Sequence, residues 1–494
     1  MMGFKFVVLW TDVALWLLFA AMLGYGIRVA RHDTLRASWR RVLRDAPALC
    51  SALVLLMFMA VTALDSVHFR RLLPAAAGQA ADRTFYDTRT ESLLDRVLAR
   101  QIAMRETTYS APLGYLAITK QTVTRDGQTL RELPRLLFGG AHLQTPATEL
   151  VDEWQADLWR RALLGAAGGL GLALLASLGL AAGLARRYRT QGGKGGLMAA
   201  WRDIAADRTH YPLRALLLTF TVICLVAGPV IALMGHYHVF GTDRTGNDVL
   251  VQTLKSIRTA FVIGLLSTLA TLPIAVVLGI LAGWFRGWVD EVVQYLYTTL
   301  SSVPNVLLIA ACVLMVQVAL DQHPEWFETG AERADLKVFL LCVILGVTGW
   351  ATLCRLVRAE TLKLRELEFV QAATAFGVPQ VRIMARHILP NVMHLVLITT
   401  VLNFSDLILY EAVLTYVGVG VDPSTSSFGG MINLARSEMS RDPVVWWSFA
   451  AAFGFMVALV LAANLFADGV RDAFDPRSRA LRPRLSRRLP STGN

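Results

Sequence analysis

Long apolar stretches alternate with shorter polar segments along most of this chain. A helix needs roughly 20 mainly apolar residues to cross the hydrocarbon of a bilayer. The pattern therefore predicts about nine transmembrane helices and an all-α polytopic membrane protein. The predicted spans lie at about 6–27, 46–64, 162–184, 213–235, 258–284, 292–320, 337–356, 391–417 and 445–467.

The polar stretch 65–157, between the second and third spans, predicts a small α+β domain, and we call it the outer segment. Thr88 and Glu91 have the spacing of a capping box. One helical face would then carry Leu94, Val97, Leu98 and Ile102. Asp126-Gly127, between two β-prone runs, predicts a hairpin.

Glycine pairs recur within the apolar stretches at a spacing that lets helix backbones approach closely. We interpret them as ordinary packing between helices of the same chain. The pairs are Gly165/Gly169, Gly179/Gly183 and Gly279/Gly283.

Composition and charge agree with a membrane location. Hydrophobic residues make up 55% of the chain and charged residues only 17%. The net charge of +11 does not indicate nucleic-acid binding, because the arginines gather in short segments beside the spans. Such basic flanks are typical of the cytoplasmic side, and they favour anionic lipid headgroups.

The charge pattern predicts which side of the membrane each segment occupies. Cytoplasmic segments are 28–45, 185–212, 285–291, 357–390 and 468–494, and segments outside are 65–157, 236–257, 321–336 and 418–444. The amino terminus is therefore expected outside and the carboxyl terminus inside. The first span lacks the features of a cleaved signal, so we interpret it as a retained anchor, although Asp12 is unusual there.

Catalytic chemistry is not indicated by the sequence. The glycine-rich segment 192–197 lacks the hydroxyl residue of a phosphate-binding loop, so we do not expect this chain to hydrolyse ATP. The histidines of 236–238 are too few for a metal site. We therefore predict no catalytic residue, metal or cofactor in this chain. The five cysteines lie in or beside spans, which leaves the outer segment without a disulfide.

The stretch 368–391 is polar and interrupted, although it lies between two predicted spans. Gly377 can adopt a positive φ and end a helix, and Pro379 can start another helical turn. We expect a helix–turn–helix bracket that protrudes into the cytoplasm, followed by a span that starts at Pro390. From spacing alone, both docking of a partner and a helix lying on lipid headgroups remain open.

This stretch resembles the "EAA" loop of the permease subunits of bacterial ABC importers. The matching positions are Gln371, Ala372 and Ala373, then Gly377, and finally Leu389 and Pro390. Gln371 replaces the usual glutamate, and His387 replaces a common isoleucine. Glu368 precedes the motif and can compensate for the lost charge.

A second stretch resembles the dipeptide, oligopeptide and nickel branch of these permeases. Its signature is the turn formed here by Gly241, Thr242, Asp243, Gly246 and Asp248, which we call the outer turn. Asp and Gly at this spacing favour a hydrogen-bonded turn. A structural role and a gate or binding-protein contact both remain open. The resemblance covers about 200–480, and residues 1–190 match nothing known to us.

The resemblance implies a transport subunit of an ABC importer for peptides. Its implied partners are a second permease in a heterodimer, two ATPase subunits that bind the ATP, and a periplasmic substrate-binding protein. The bracket would then be the coupling helix that contacts an ATPase subunit. Alternatives are a permease for nickel or another small solute, or a scaffold or receptor that senses through the outer segment.

Polar residues within the eighth predicted span are candidates for lining the route. Ionisable groups in the hydrocarbon usually face a bundle interior or an aqueous path. The candidates are Asn403, Asp406 and Glu411, with a contact between spans as the alternative. The predicted domains are 1–64 with two helices, 65–157, the joint 158–212, a six-helix permease core at 213–480, and the tail 481–494.

Overall fold

A computed structural model describes residues 4–72, 86–125, 128–143, 150–190, 196–327 and 329–474. Helices form most of the fold. The helices that precede the predicted core are α1 (Trp10–Arg31), α2 (Asp33–Val42), α3 (Ala46–Asp65), α4 (Leu93–Val97), α5 (Ala99–Ala103), α6 (Leu150–Thr190) and α7 (Leu197–Ala205).

The strands belong to the amino terminus and the outer segment. They are β1 (Phe4–Val7), β2 (His68–Arg71), β3 (Glu91–Ser92), β4 (Gln121–Arg125) and β5 (Gln128–Glu132). β2 pairs antiparallel with both β1 and β3, with Phe6 opposite Phe69 and His68 opposite Ser92. β4 and β5 form the predicted hairpin, but Asp126 and Gly127 at its tip lie outside the described residues.

The named elements in the described residues of the second half are all helices. Its helices are α8 (Leu213–Leu233), α9 (Val249–Phe285), α10 (Gly287–Ser302), α11 (Asn305–Gln322), α12 (Gly330–Gly349), α13 (Ala351–Arg365), α14 (Glu368–Ala375), α15 (Gln380–Ile383), α16 (Leu389–Tyr416), α17 (Phe428–Glu438) and α18 (Trp447–Phe474). A 3₁₀ turn covers Pro324–Trp326, and a π-helical turn covers Met384–Ile388.

The predicted number of spans is confirmed within the described part of the chain. Eight helices are long and apolar enough to cross a membrane, and a ninth results if the pair α12 and α13, bent by 43°, counts as one. The eight are α1, α3, α6, α8, α9, α11, the joined α15–α16 and α18.

Two predicted span boundaries are wrong, and each error concerns a proline. The span 292–320 is not one helix, because α10 ends at Ser302 and α11 begins after Pro304, which lacks the amide hydrogen that a helix interior needs. Pro390 does not start a span. The helical path begins at Gln380 and continues through the π-helical turn into α16, where Pro390 is the second residue.

The predicted capping box of the outer segment is also wrong. Glu91 belongs to β3, and the box forms four residues later between Ser92 and Asp95. The predicted single helix is two short ones, α4 and α5. Leu94 and Leu98 are buried as expected, whereas Val97 is 64% exposed.

Helix α9 is the centre of the second half. It is buried along much of its length and packs against α12, α13, α16 and α3. A Cβ on Gly279 or Gly283 would collide with α13, so these glycines set the close approach of the two helices. In the hydrocarbon, where helix association depends on close packing, this contact matters more than burial of apolar area.

The other glycine pairs differ from each other. Gly165 and Gly169 of α6 lie directly against the backbone of α8 at Gly228 and Cys224, so they pack within the chain as predicted. No atom lies within 4 Å of a Cβ built on Gly179 or Gly183. This second pair makes no such contact within the described residues.

Candidate functional site

The bracket forms as the sequence predicts. Helix α14 ends at Ala375 with Phe376 as its C-cap, and Gly377 follows with φ of +71°. The Val378 amide donates to the Ala373 carbonyl at 3.1 Å, and the Gly377 amide donates to Thr374 at 3.0 Å. This pattern closes a helix through a left-handed residue, for which glycine carries no steric penalty.

The tip of the bracket is open and apolar. Phe376 is 87% exposed and Val381 is 72% exposed. Gln371 and Ala372 are also exposed, whereas Ala373 is half-buried against the bracket's own base. A large exposed apolar side chain beside small residues is typical of a surface that contacts a partner.

The base of the bracket is fixed in the helical core. Val370, Ile383 and Ile388 are buried and pack in one cluster with Trp284 and Leu353. Leu389, the predicted last apolar position of the motif, packs at the edge of the same cluster, and Pro390 beside it is exposed. The tip is therefore free while both of its ends are held.

Polar contacts also fix α13, the helix that precedes the bracket. Arg365 donates to the Trp284 carbonyl at 2.7 Å, and Arg358 forms two hydrogen bonds with Asp290, at 2.5 and 2.7 Å. Bidentate pairs of this kind resist rotation. Helix α13, from which the chain continues into the bracket, is therefore held against α9 and α10.

Gln371 and His387, the two departures from the expected motif, each contact a nearby residue of the chain. The side-chain amide of Gln371 donates from Nε2 to the Glu366 carbonyl at 3.3 Å, and the His387 ring centre lies 6.0 Å from that of Phe369. Glu368 is exposed in the first turn of α14, where a carboxylate favours the positive end of the helix.

The outer turn is a closed hydrogen-bonded loop. Asp243 Oδ1 accepts from the amides of Thr245 and Asn247, at 2.8 and 2.9 Å. Asp248 Oδ1 accepts from the Leu250 amide at 2.8 Å and so caps α9. Gly241 and Gly246 both have positive φ.

The outer segment covers this turn. Thr242 Oγ1 accepts from the Ser110 amide at 2.6 Å and donates to the Thr108 carbonyl at 2.9 Å. The Glu106 amide donates to the Gly246 carbonyl at 3.0 Å, and a Cβ on Gly246 would overlap the Glu106 backbone. The outer turn is thus in contact with the outer segment of its own chain.

His238 joins the two parts at a fully buried position. Its Nδ1 lies 2.8 Å from Asp248, and its Nε2 lies 3.5 Å from Glu106. Burial disfavours the charged ring, but the hydrogen bond to Asp248 and the attraction of the nearby Glu106 carboxylate outweigh it and raise the pKa of His238 to about 9. For Glu106, burial is outweighed by the attraction of His238 and by the bonds to the amides of 137–139, which lower its pKa to about 2.

The three route candidates have different surroundings. Asp406 is exposed, Asn403 is half-buried, and Glu411 is only 1% exposed. Thr415 Oγ1 donates to Glu411 at 2.8 Å. Glu411 also bonds the side chain of Ser427, the residue that caps α17, so it links two helices in this conformation.

Comparison with known proteins identifies the family. Residues 275–480 match the model of the binding-protein-dependent transport system inner membrane component. The oligopeptide transport system permease protein OppC of Mycobacterium bovis is 33% identical over 248 residues, which are 50% of this chain and 79% of that protein. The chain belongs to the permease family of bacterial ABC importers.

Other permeases show similar agreement. OppC of Haemophilus influenzae is 31% identical over 50% of this chain and 72% of its own length. The dipeptide transport system permease protein DppC of Lactococcus lactis is 31% identical over 49% of this chain and 64% of its own. The family match contains the bracket and the route candidates, and it begins after the outer turn. This permease is a multi-pass protein of the inner membrane.

One buried ionic cluster of the permease was not predicted. Arg258 of α9 lies 2.6 Å from Asp12 of α1 and 3.7 Å from Asp335 of α12. His68 and Ser66 also bond Asp12, at 2.7 and 2.9 Å. The one available signal was Asp12 itself, a carboxylate in an apolar stretch that required a partner. This cluster joins α1 to α9 and to α12, and α12 lies within the residues that match the family.

Proposed function

We propose that this chain is the permease subunit of an ABC importer for peptides and that it forms half of the route together with a second, similar permease. Relatives at 31–33% identity carry the names of oligopeptide and dipeptide permeases, which supports the substrate class. The observation that carries the mechanical part is the bracket at 368–388, whose tip is exposed and whose base is buried.

The bracket is the seat of a separate ATPase subunit, and this chain has no ATPase site of its own. When ATP closes the pair of ATPase subunits, the tip at Ala372 and Phe376 moves with them. The buried base at Val370 and Ile383 carries this movement to α13 and α9. Rigid elements that transmit a displacement between two packed arrangements are a common basis of switching. The result is alternating access, with no covalent chemistry in this chain.

The orientation follows from the distribution of arginines. The bracket and the carboxyl terminus lie in the cytoplasm, and the amino terminus and the outer segment lie in the periplasm. A periplasmic substrate-binding protein delivers the peptide to the outer side.

Asp406 and Asn403 contribute to the wall of the route. A peptide carries an ammonium group, which a carboxylate attracts strongly where water is scarce. The exposure of Asp406 on α16 supports its accessibility to a passing substrate. Glu411 contributes when its contact with Thr415 opens.

The coupling role is tested by Gly377→Val in the complete importer. A β-branched residue at positive φ is strained, and its bulk obstructs the close approach of a partner to the tip. We expect loss of the ATPase subunits from the purified complex and loss of ATP-driven peptide uptake. Normal assembly together with normal uptake would refute the coupling role.

Gly287→Val is the matched control. Gly287 also has a positive φ, of +58°, and no atom lies within 4 Å of its added Cβ. It sits at the start of α10, outside the bracket. The control carries the same backbone strain, so it should keep the ATPase subunits and most of the uptake.

A further inference from the structure

The outer segment changes what a partner meets on the periplasmic side. Thr242 and Gly246 of the outer turn are covered by Ser110 and Glu106. The buried residues of the turn are therefore closed to a partner, whereas Arg244 and Thr245 at its tip remain exposed beside the outer segment. We call the boundary between the outer segment and the outer turn the seam.

Three arginines lie at the seam, and two of them, Arg244 and Arg441, are close to Tyr109. Arg105 Nε donates to the Thr245 carbonyl at 2.9 Å, which places it beside Arg244. The Arg441 guanidinium lies 5.2 Å from the centre of the Tyr109 ring. Burial and the adjacent Glu438 raise the pKa of Tyr109 to about 12, while the charges of Arg441 and Arg244 act against this shift. All three guanidinium groups belong to exposed residues.

These arginines contrast with the other cations of the outer side. Lys255 pairs with Asp95 at 2.6 Å, and Arg70 pairs with Glu332 at 2.9 Å. No salt bridge within the described chain includes Arg105, Arg244 or Arg441, although Arg441 is electrostatically coupled to Glu438 and is followed by the exposed Asp442. Basic residues in short periplasmic loops oppose the charge bias that orients membrane proteins, so exposed and unpaired ones call for a functional reason.

Exposed apolar side chains adjoin the arginines. Met439, Val444 and Trp446 are 46%, 52% and 55% exposed, and they flank Arg441 in the loop between α17 and α18. The Trp446 ring lies 6.3 Å from that of Trp447, whose Nε1 donates to the Thr242 carbonyl, so this loop sits against the outer turn. Arginine and tryptophan together with methionine are enriched where protein partners dock.

We propose that the outer patch, formed by Arg105, Arg244, Arg441, Met439, Val444 and Trp446, docks an acidic face of the substrate-binding protein. The proposal rests on the proposed function, because it needs a binding protein that arrives at this side. Charge complementarity and the family's dependence on a binding protein identify the partner. The outer segment is then part of the docking platform, since it supplies Arg105 and holds the turn beneath.

The test uses the complete importer in nanodiscs and the purified, substrate-loaded binding protein of the same system. The double variant Arg244→Glu and Arg441→Glu should bind it at least tenfold more weakly, mainly through slower association, because like charges then meet. Affinity of the unchanged importer should fall as salt rises. The ATPase subunits should remain bound, which separates this result from a failure of the coupling role.

The control reverses two other exposed charges of the outer segment, Lys120→Glu and Arg131→Glu. It should change the affinity by less than threefold. Equal losses in both variants would reveal only general attraction and would overturn the assignment of the patch. An unchanged affinity in the Arg244 and Arg441 variant would overturn it too. If that variant also inserted less well into the membrane, the arginines would contact lipid headgroups instead of the binding protein.

Discussion

Replacing Arg258 by methionine should weaken the attachment of α1 to α9 and α12. Arg258 is the sole close cation of Asp12 among the described arginines and lysines, at 2.6 Å, and it also faces Asp335 at 3.7 Å. Methionine fills a similar volume but leaves the buried carboxylates of Asp12 and Asp335 without that charge, and it also removes the attraction between Arg258 and the buried Asp65. Breaking a buried pair in this way costs about 3–5 kcal/mol.

The cost is expected near the lower end of that range, about 3 kcal/mol. Both carboxylates keep other partners, since Asp12 retains His68 and Ser66, and Asp335 retains two hydrogen bonds from Thr11. Adding Asp12→Asn to Arg258→Met should recover about 1 kcal/mol or more, because it removes one of the unpaired charges.

The measurement is the free energy of unfolding of the purified chain in detergent, from denaturant titration. Arg286→Met is a matched control, because Arg286 pairs with Glu366 at the same 2.6 Å but both side chains are about half exposed. Exposed pairs contribute about 0–1 kcal/mol. If the two methionine variants lose equal stability, the buried cluster does not join the first helix to the core.

Three further changes have defined outcomes. Gly169→Leu should force α6 away from α8 and lower the unfolding midpoint of the chain, whereas Gly179→Leu, where space is open, should leave it nearly unchanged. The pKa of His238 is raised to about 9, so its stabilising contribution is complete below pH 6.5 and is lost as the pH rises to about 9. Protease resistance of the outer segment should therefore fall over this pH range, and His238→Gln should make it nearly independent of pH. Asp406→Asn should reduce the uptake rate of peptides severalfold with assembly intact, and unchanged uptake would remove Asp406 from the route.

The sequence predicted best what is encoded locally. The number of spans follows from lengths of apolar residues, and the bracket follows from Gly377 and Pro379 within a single stretch. Because Gly377 closes α14 by bonds to neighbours only, no distant contact was needed to anticipate it.

Competition between equal local signals explains one failure. Thr88 with Glu91 and Ser92 with Asp95 have the same capping-box spacing, and the second forms. Glu91 is held in β3 by its pairing with Phe69, and the Ser92 hydroxyl also donates to Asp65 at 2.6 Å. Contacts with residues far along the chain thus select the cap.

Long-range contacts also explain what the sequence could not provide about the site. The cover over the outer turn joins Ser110 to Thr242, and the ionic cluster joins Asp12 to Arg258. Neither pairing has a periodic or spacing signal. The role of Asp243 and Asp248 in the turn was open for the same reason, since only the fold reveals that the turn is occupied by the outer segment.

The most direct test of the central claim places a photo-crosslinker at Phe376 in the native membrane. This residue is 87% exposed at the tip of the bracket. The account predicts a crosslink to an ATPase subunit from this position and none from the same probe at Trp446 on the opposite side. A crosslink from position 376 to the binding protein would contradict the account. An assembled importer that gives no crosslink from position 376 to an ATPase subunit would contradict it as well.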